Sequence, residues 1–285
     1  MEGAFQVIFG ILCWTSIIVL VVLGLGIIAS MMGIFNFAHG EFLLLGGYTL
    51  YLFHIWGLPL WLGIFAAPLV VAIIGILLER TIIQRFYAAP IVAMLGTYAI
   101  GVIIRETVRG LIDGLYLRVP APLVGMFAVG DISISKWRVA AIVMTILVVA
   151  GSYLLLNRTS FGLRVRASLE NPELARASGI STSQIYAATF GFGAALAGLA
   201  GAIVTPLMML SADMGLSFLI KGFLAVMLGG IGTFEGPVLG GGVIGALASG
   251  LPYAVNPILA DVLVFIIAIV IVKMKPMGLL AKGRK

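Results

Sequence analysis

The first 78 residues of this chain contain no lysine or arginine: residues 3–40 and 42–78 carry no Asp, Glu, Lys or Arg, and Arg80 is the first of the 17 Lys and Arg residues. A soluble domain cannot be built from such runs, because too little of its surface could be made polar. A membrane span can, since about 20 apolar residues cross a hydrocarbon core of about 30 Å. The rest of the chain agrees: of 285 residues 62% are hydrophobic and 10% charged, with a mean hydropathy of +1.21, against about 25% charged in a soluble domain. A soluble enzyme is excluded. The length allows about eight spans with short connections, so the expected architecture is all-α, one polytopic membrane helix bundle forming a single domain over 1–285. The N-terminus lacks the basic region of a signal peptide, and the first hydrophobic stretch is expected to stay. Cys13 stands alone within it and reads as a packing residue, with neither a disulfide frame nor a metal cluster.

Hydropathy, turn residues and charges place spans near 6–31, 41–57, 60–78, 91–109, 138–156, 184–205, 216–230, 237–251 and 257–273. The pair at 216–230 and 237–251 is short for crossing and is separated by Gly229-Gly230-Ile231-Gly232-Thr233-Phe234-Glu235-Gly236-Pro237. It reads either as two crossings or as a broken, re-entrant pair near 216–251, with Gly229, Gly230, Gly232 and Gly236 as the hinge of the break. The competing reading is an ordinary cytoplasmic turn. Phosphate binding is rejected, because the run lacks the Gly-Lys-Ser/Thr ending of a phosphate-cradling loop.

Charge gives the orientation. Of the 17 basic residues, eleven fall in 79–90 (Arg80, Arg85), in 157–183 (Arg158, Arg164, Arg166, Arg176) and in the tail (Lys273, Lys275, Lys282, Arg284, Lys285). Alternating the spans puts these on one side, and the positive-inside tendency makes that side cytoplasmic, with the N-terminus outside and the C-terminus inside. Arg105, Arg109, Arg118, Lys136 and Arg138 are assigned to the outer side, where Trp56, Trp61 and Trp137 would lie in the headgroup layer. A net charge of +6 and a pI near 9.6 therefore report membrane sidedness and contact with lipid, not a nucleic-acid partner. Small residues at Ala194, Gly198 and Ala202, at Ala197 and Gly201, and at Gly241, Gly245 and Ser249 mark packing seams.

Three stretches could carry function. Asn36-Phe37-Ala38-His39-Gly40-Glu41 concentrates polar groups between two long apolar helices. Asn36, His39 and Glu41 can hydrogen-bond a polar solute, and the alternative is a capped turn toward the cytoplasm with Glu41 at the dipole end of a helix. One His and one Glu two residues apart support neither a metal site nor acid–base catalysis. Lys221 sits in an apolar span, where it can snorkel outward with Asp213 as a possible partner; a pairing with Glu41 is not adopted. In 157–183, Asn171 caps, Pro172 and Glu173 open, and Gly179 closes a helix of about seven residues, too short to be stable unless it docks. Ser181 with Gln184 reads as a capping box for the next span. The helix either lies on inner headgroups or meets a cytoplasmic protein.

These residues resemble those of the LivH-like permease subunits of high-affinity branched-chain amino acid ABC importers. Three signatures carry the resemblance: Met32 through Glu41; Glu170-Asn171-Pro172-Glu173-Leu174-Ala175-Arg176-Ala177-Ser178-Gly179-Ile180; and Lys221-Gly222-Phe223 through Val226-Met227-Leu228-Gly229-Gly230-Ile231-Gly232-Thr233 to Gly240-Gly241. The resemblance implies a permease domain with a second, LivM-like permease subunit, two ABC ATPase subunits and an extracytoplasmic solute-binding protein as partners. It implies no cofactor and no catalysis by this chain. It also implies that Glu170, Asn171, Pro172, Glu173, Arg176 and Gly179 belong to a helix that couples to the ATPase, and that Asn36, His39, Gly40 and Glu41 lie near the translocation path.

The expected function is thus the membrane half of an ATP-driven importer of amino acids, most often branched-chain ones, in the bacterial inner membrane. The alternative is a self-sufficient channel or secondary transporter for small polar solutes such as urea or amides. Against the alternative, intramembrane carboxylates and charge pairs that could couple ions look scarce; against an enzyme, no acid, base and nucleophile converge.

Overall fold

The computed structural model describes residues 2–33, 35–87, 89–129, 132–275 and 278–280. Its helices run in order: α1 Glu2–Met32, α2 His39–Ile55, α3 Leu60–Thr81, α4 Pro90–Leu111, α5 Lys136–Arg158, α6 Ser160–Glu170, α7 Pro172–Ala177, α8 Thr182–Val204, α9 Met214–Gly229, α10 Glu235–Gly250 and α11 Pro257–Met274. A short antiparallel hairpin, β1 Met126–Val129 with β2 Ile132–Ser135, precedes α5. The nine expected spans are all present as helices. Six of the helices are long and apolar enough to cross a membrane; α2, α9 and α10, of 17, 16 and 16 residues, are shorter. The α6 helix and the hairpin were not expected: both are too polar or too short to stand out in a hydropathy reading.

The bundle is arranged around α1 and α8, whose apolar windows are 67% and 78% buried against 17% for α11. The small-residue stripes explain why α8 can sit at the centre. A Cβ on Gly201 would enter the Leu43 carbonyl of α2, and one on Gly198 would strike Val71 of α3. Ala202 packs with Leu50, Ile64 and Ala67. On α10, Gly241 faces Val19 and Val22, Gly245 faces Thr15, and the Ser249 hydroxyl meets that of Thr15 at 3.3 Å. Without a hydrophobic force between helices in lipid, such close backbone approach is what makes association favourable.

Contacts sort the connections into two ends. At one, Gln84 donates to the Ser183 hydroxyl at 2.7 Å, Tyr153 stacks edge-on with Phe234, and the Leu279 amide donates to the Leu228 carbonyl at 2.9 Å. This end gathers the loop after α3, the α6–α7 segment and residues 278–280; Lys282, Arg284 and Lys285 lie outside the described residues. At the other end Leu117 and Leu210 exchange both backbone bonds, and the Trp137 indole donates to the Ile203 carbonyl at 3.1 Å. Trp56 and Trp61 are exposed there as expected, but Trp137 is buried, because its indole fills the space between α5 and α8. Cys13 is buried in α1.

Candidate functional site

The break between α1 and α2 is not a turn at the end of the bundle. After Met32 the chain folds back, so that His39 at the start of α2 lies beside Val21 of α1, roughly 16 Å of helix before the end of α1. His39 Nε2 donates to the Val21 carbonyl at 3.0 Å. Local bonds hold the fold-back: the Ala38 amide donates to Asn36 Oδ1 at 3.0 Å and the Phe37 amide to the Thr97 hydroxyl of α4 at 3.1 Å. Gly40 lies against Gly215 so closely that a Cβ on either would meet the other's carbonyl. The N-terminal ends of α2 and α9 therefore meet inside the bundle. The positive dipole ends of both helices face that point.

Glu41 lies in the first turn of α2, as the capped-turn reading required, but within the protein. Its carboxylate accepts from Arg105 of α4 at 3.4 Å, and both side chains are largely enclosed, 4% and 14% exposed. Arg105, assigned to the outer loop on charge counting, instead points back into the bundle. A ladder of alternating charge follows: Arg105 to Glu106 at 3.8 Å, Glu106 to Arg109 at 3.0 Å, Arg109 to Asp213 at 2.7 Å. Asp213 thus pairs with Arg109 and not with Lys221, whose amine reaches Asp261 of α11 at 3.4 Å. The expectation that charge pairs are scarce among the spans is corrected by both pairs. The single-sequence signal for them was present but ambiguous: Arg105 falls near a helix end in one dimension and faces a buried carboxylate in three.

Three polar atoms of this segment are buried without a partner: Asn36 Nδ2, His39 Nδ1 and Glu41 Oε2. In an apolar interior such atoms are costly and are normally satisfied. A cavity of about 1040 Å³ between α1, α5 and α10 lies elsewhere and has an almost wholly apolar surface, lined by residues such as Leu12, Val19 and Ile146. A smaller apolar cavity of about 460 Å³, lined by Phe37, Tyr98, Leu219 and Phe223, adjoins the fold-back.

The 170–180 segment is a second distinct feature. The Asn171 side chain accepts from the Leu174 amide at 2.9 Å, Pro172 opens α7, and Gly179 adopts φ +81° just past its end. Glu170, Asn171, Glu173, Arg176 and Gly179 are exposed, Pro172 is half-buried and Leu174 is 63% exposed. The segment is held from behind: Ala175 is buried, the Tyr186 hydroxyl donates to the Ser168 carbonyl at 3.0 Å, and Arg166 donates to the Leu156 carbonyl. Ser181 occupies the N-cap of α8, but its hydroxyl makes no capping bond, so the box with Gln184 is not formed.

The α9–α10 break is built from the expected glycines. Gly230 and Gly232 take φ of +97° and +106°, Gly229 and Gly236 touch backbone to backbone, and the Gly232 amide donates to the Ser30 hydroxyl at 3.2 Å. The contact with Ser30 puts this break near the end of α1, at the end of the bundle that holds α6 and α7. The interruption deep in the bundle belongs to the α1–α2 junction instead.

A family model described as the permease component of the branched-chain amino acid transport system matches residues 7–272. A probable branched-chain amino acid transport permease protein LivH of Methanocaldococcus jannaschii is 30% identical over 264 residues, 88% of this chain and 82% of that one. The high-affinity branched-chain amino acid transport system permease protein BraD of Pseudomonas aeruginosa is 29% identical over 280 residues, 92% and 91% of the two chains. Among solved structures, PsaBC from Streptococcus pneumoniae in complex with Fab covers 91% of this chain and 89% of its own at 16% identity and a TM-score of 0.47.

Proposed function

Since the chain belongs to the branched-chain amino acid transport permease family, we propose that it is the permease subunit of an ATP-driven importer of branched-chain amino acids. It pairs in the membrane with a second, related permease subunit and receives its solute from an extracytoplasmic binding protein. Two separate ATPase subunits drive it. The observation that carries the coupling step is α7: a six-residue helix, far below the length that is stable alone, capped at both ends and presented outward with Leu174 exposed. A helix so short is kept ordered most readily by a groove that receives it. We place it as the contact through which ATPase closure moves the spans on either side of 157–183.

The orientation follows the same reading. The basic segments 79–90 and 157–183 lie at one end of the bundle, and the positive-inside tendency makes that end cytoplasmic. The N-terminus is then outside and the C-terminus inside, in the bacterial inner membrane. Asn36, His39, Gly40 and Glu41 lie on the solute path, and Gly229, Gly230, Gly232 and Gly236 form a hinge beside the coupling end.

The test is a Glu173→Arg, Arg176→Glu double substitution in the assembled transporter. Uptake of leucine and its stimulation of ATP hydrolysis are both expected to fall by tenfold or more while the complex still inserts. Normal uptake in that variant would remove α7 from the coupling role. Flux through the purified chain alone, without ATPase subunits, would favour a self-sufficient channel or secondary transporter.

A further inference from the structure

We propose that the trench over α1 between α5 and α10 is a phospholipid site, with an anionic phosphate on Arg138 at its mouth and an acyl chain running inward to the Tyr153 and Phe234 rings. Such a site needs only that the chain lies in a membrane, whatever solute it moves. The trench arises because α5 and α10 both pack on α1. Leu12, Ser16 and Val19 of α1 form its floor, and Ile142, Ile146 and Val238 belong to its walls. The space of about 1040 Å³ between them has an almost wholly apolar surface. At the end of the bundle that holds α6 and α7, the Tyr153 and Phe234 rings meet edge-on at 5.6 Å and close it.

The crevice changes character at its other end. One helical turn beyond Leu12 and Ile142, the same faces of α1 and α5 carry Phe9 and Arg138, which line a space of about 430 Å³ with Gln6, Ser133 and Ser135. A cation and several hydrogen-bonding groups meet there, and none of the described lining residues is acidic. Arg138 is exposed in the first turn of α5, and Lys136 adds a second positive charge to that turn. A phosphate complements such a mouth. A molecule with an anionic head and a long apolar tail matches the two spaces in the order in which they occur. From Arg138 to Tyr153 the α5 helix rises roughly 22 Å, which suits an acyl chain entering from one surface but falls short of a hydrocarbon core of about 30 Å. A partner helix would have to cross the whole core, and it would need small residues to approach closely. The trench instead presents Leu12, Ile146, Leu154 and Leu239, each between 47% and 60% exposed. These flexible aliphatic side chains fit a run of methylenes better than a helix backbone.

The experiment purifies the protein from membranes in mild detergent with the subunits that accompany it. Native mass spectrometry then reads phosphatidylglycerol bound per copy of this chain, in competition with an equal amount of phosphatidylcholine. The unaltered protein is expected to hold one phosphatidylglycerol in preference to phosphatidylcholine. Arg138→Gln is expected to lower that occupancy at least fivefold and to abolish the preference. Ala150→Trp, which sets an indole into the trench from an exposed position, is expected to lower binding of both lipids at least fivefold. Leu147→Trp, exposed on α5 outside the trench, leaves it unchanged. Unchanged occupancy in either Arg138→Gln or Ala150→Trp overturns the proposal, and Arg138→Gln alone decides it if Ala150→Trp fails to assemble. Cross-linking of Ile146→Cys to another subunit in the membrane would put a protein helix in the trench and overturn it as well.

Discussion

Glycine at position 201 differs from glycine at position 242 only in what lies next to it. A Cβ at 201 would occupy the place of the Leu43 carbonyl, and one at 40 would collide with Gly215, whereas a Cβ at 242 meets nothing within 4 Å. Gly201→Ala and Gly40→Ala are therefore expected to destabilise the fold by about 1–3 kcal/mol through overpacking, and Gly242→Ala to be neutral. Thermal unfolding of the detergent-solubilised variants checks this; equal midpoints for all three would contradict the close approach. Glu79 makes a second residue-scale case. It is fully buried in the last turn of α3, and the Tyr87 hydroxyl donates to it. Tyr87→Phe removes that donor and keeps the ring, so a loss of about 1–3 kcal/mol is expected from an unsatisfied buried carboxylate. That such seams exist was legible in the spacing of Gly and Ala. Their partners were not, because spacing tells which face is small and not what arrives at it.

Elements were legible to the extent that their causes are local. The span positions follow from runs of apolar residues that must satisfy their own backbone groups, and α7 follows from Asn171, Pro172 and Gly179, which act within a few residues of themselves. Asn171→Ala is accordingly expected to weaken α7 by about 1 kcal/mol, read as faster amide exchange at 173–178 and a reduced ATPase response. An unchanged exchange rate there would show that the loop is held by its flanks alone. The α6 helix was missed since its sequence is polar; its signal is the spacing of Phe161 and Val165, together with Gly162, which fits only because no Cβ presses on the Leu156 backbone. The capping box at Ser181 failed for the converse reason: the motif is necessary for the bond but does not force the rotamer.

For the whole molecule, the two ends are defined by contacts between distant segments, and the positive-inside tendency assigns sides to them. This predicts that a cysteine replacing Val124 reacts with an impermeant maleimide in intact cells, and that one replacing Leu163 reacts only after permeabilisation. Both positions are exposed, and the native Cys13 is buried and should give little background. The opposite pattern would invert the orientation. At this scale the sequence reading also went wrong most instructively. Counting charges by loop placed Arg105 outside and Glu41 toward the cytoplasm, where they could not meet; in the structure they form a buried pair. One-dimensional counting assumes that each span starts where the last one ended. That assumption fails when a helix as long as α1 is followed by a fold-back that starts its neighbour partway along its side.

The amino-acid sequence by itself determined that this protein is a membrane bundle, where its long apolar helices lie, which short helix is capped and which family it resembles. Each of these depends on composition or on groups a few residues apart. Only the tertiary structure decided that α2 and α9 begin against each other inside the bundle, that Glu41 has Arg105 as its partner, and that Lys221 has Asp261. Those depend on helix lengths and on glycine-to-glycine contacts between segments far apart in the chain, and the depth of a charge in the membrane is set by such contacts and not by its place in a hydropathy profile.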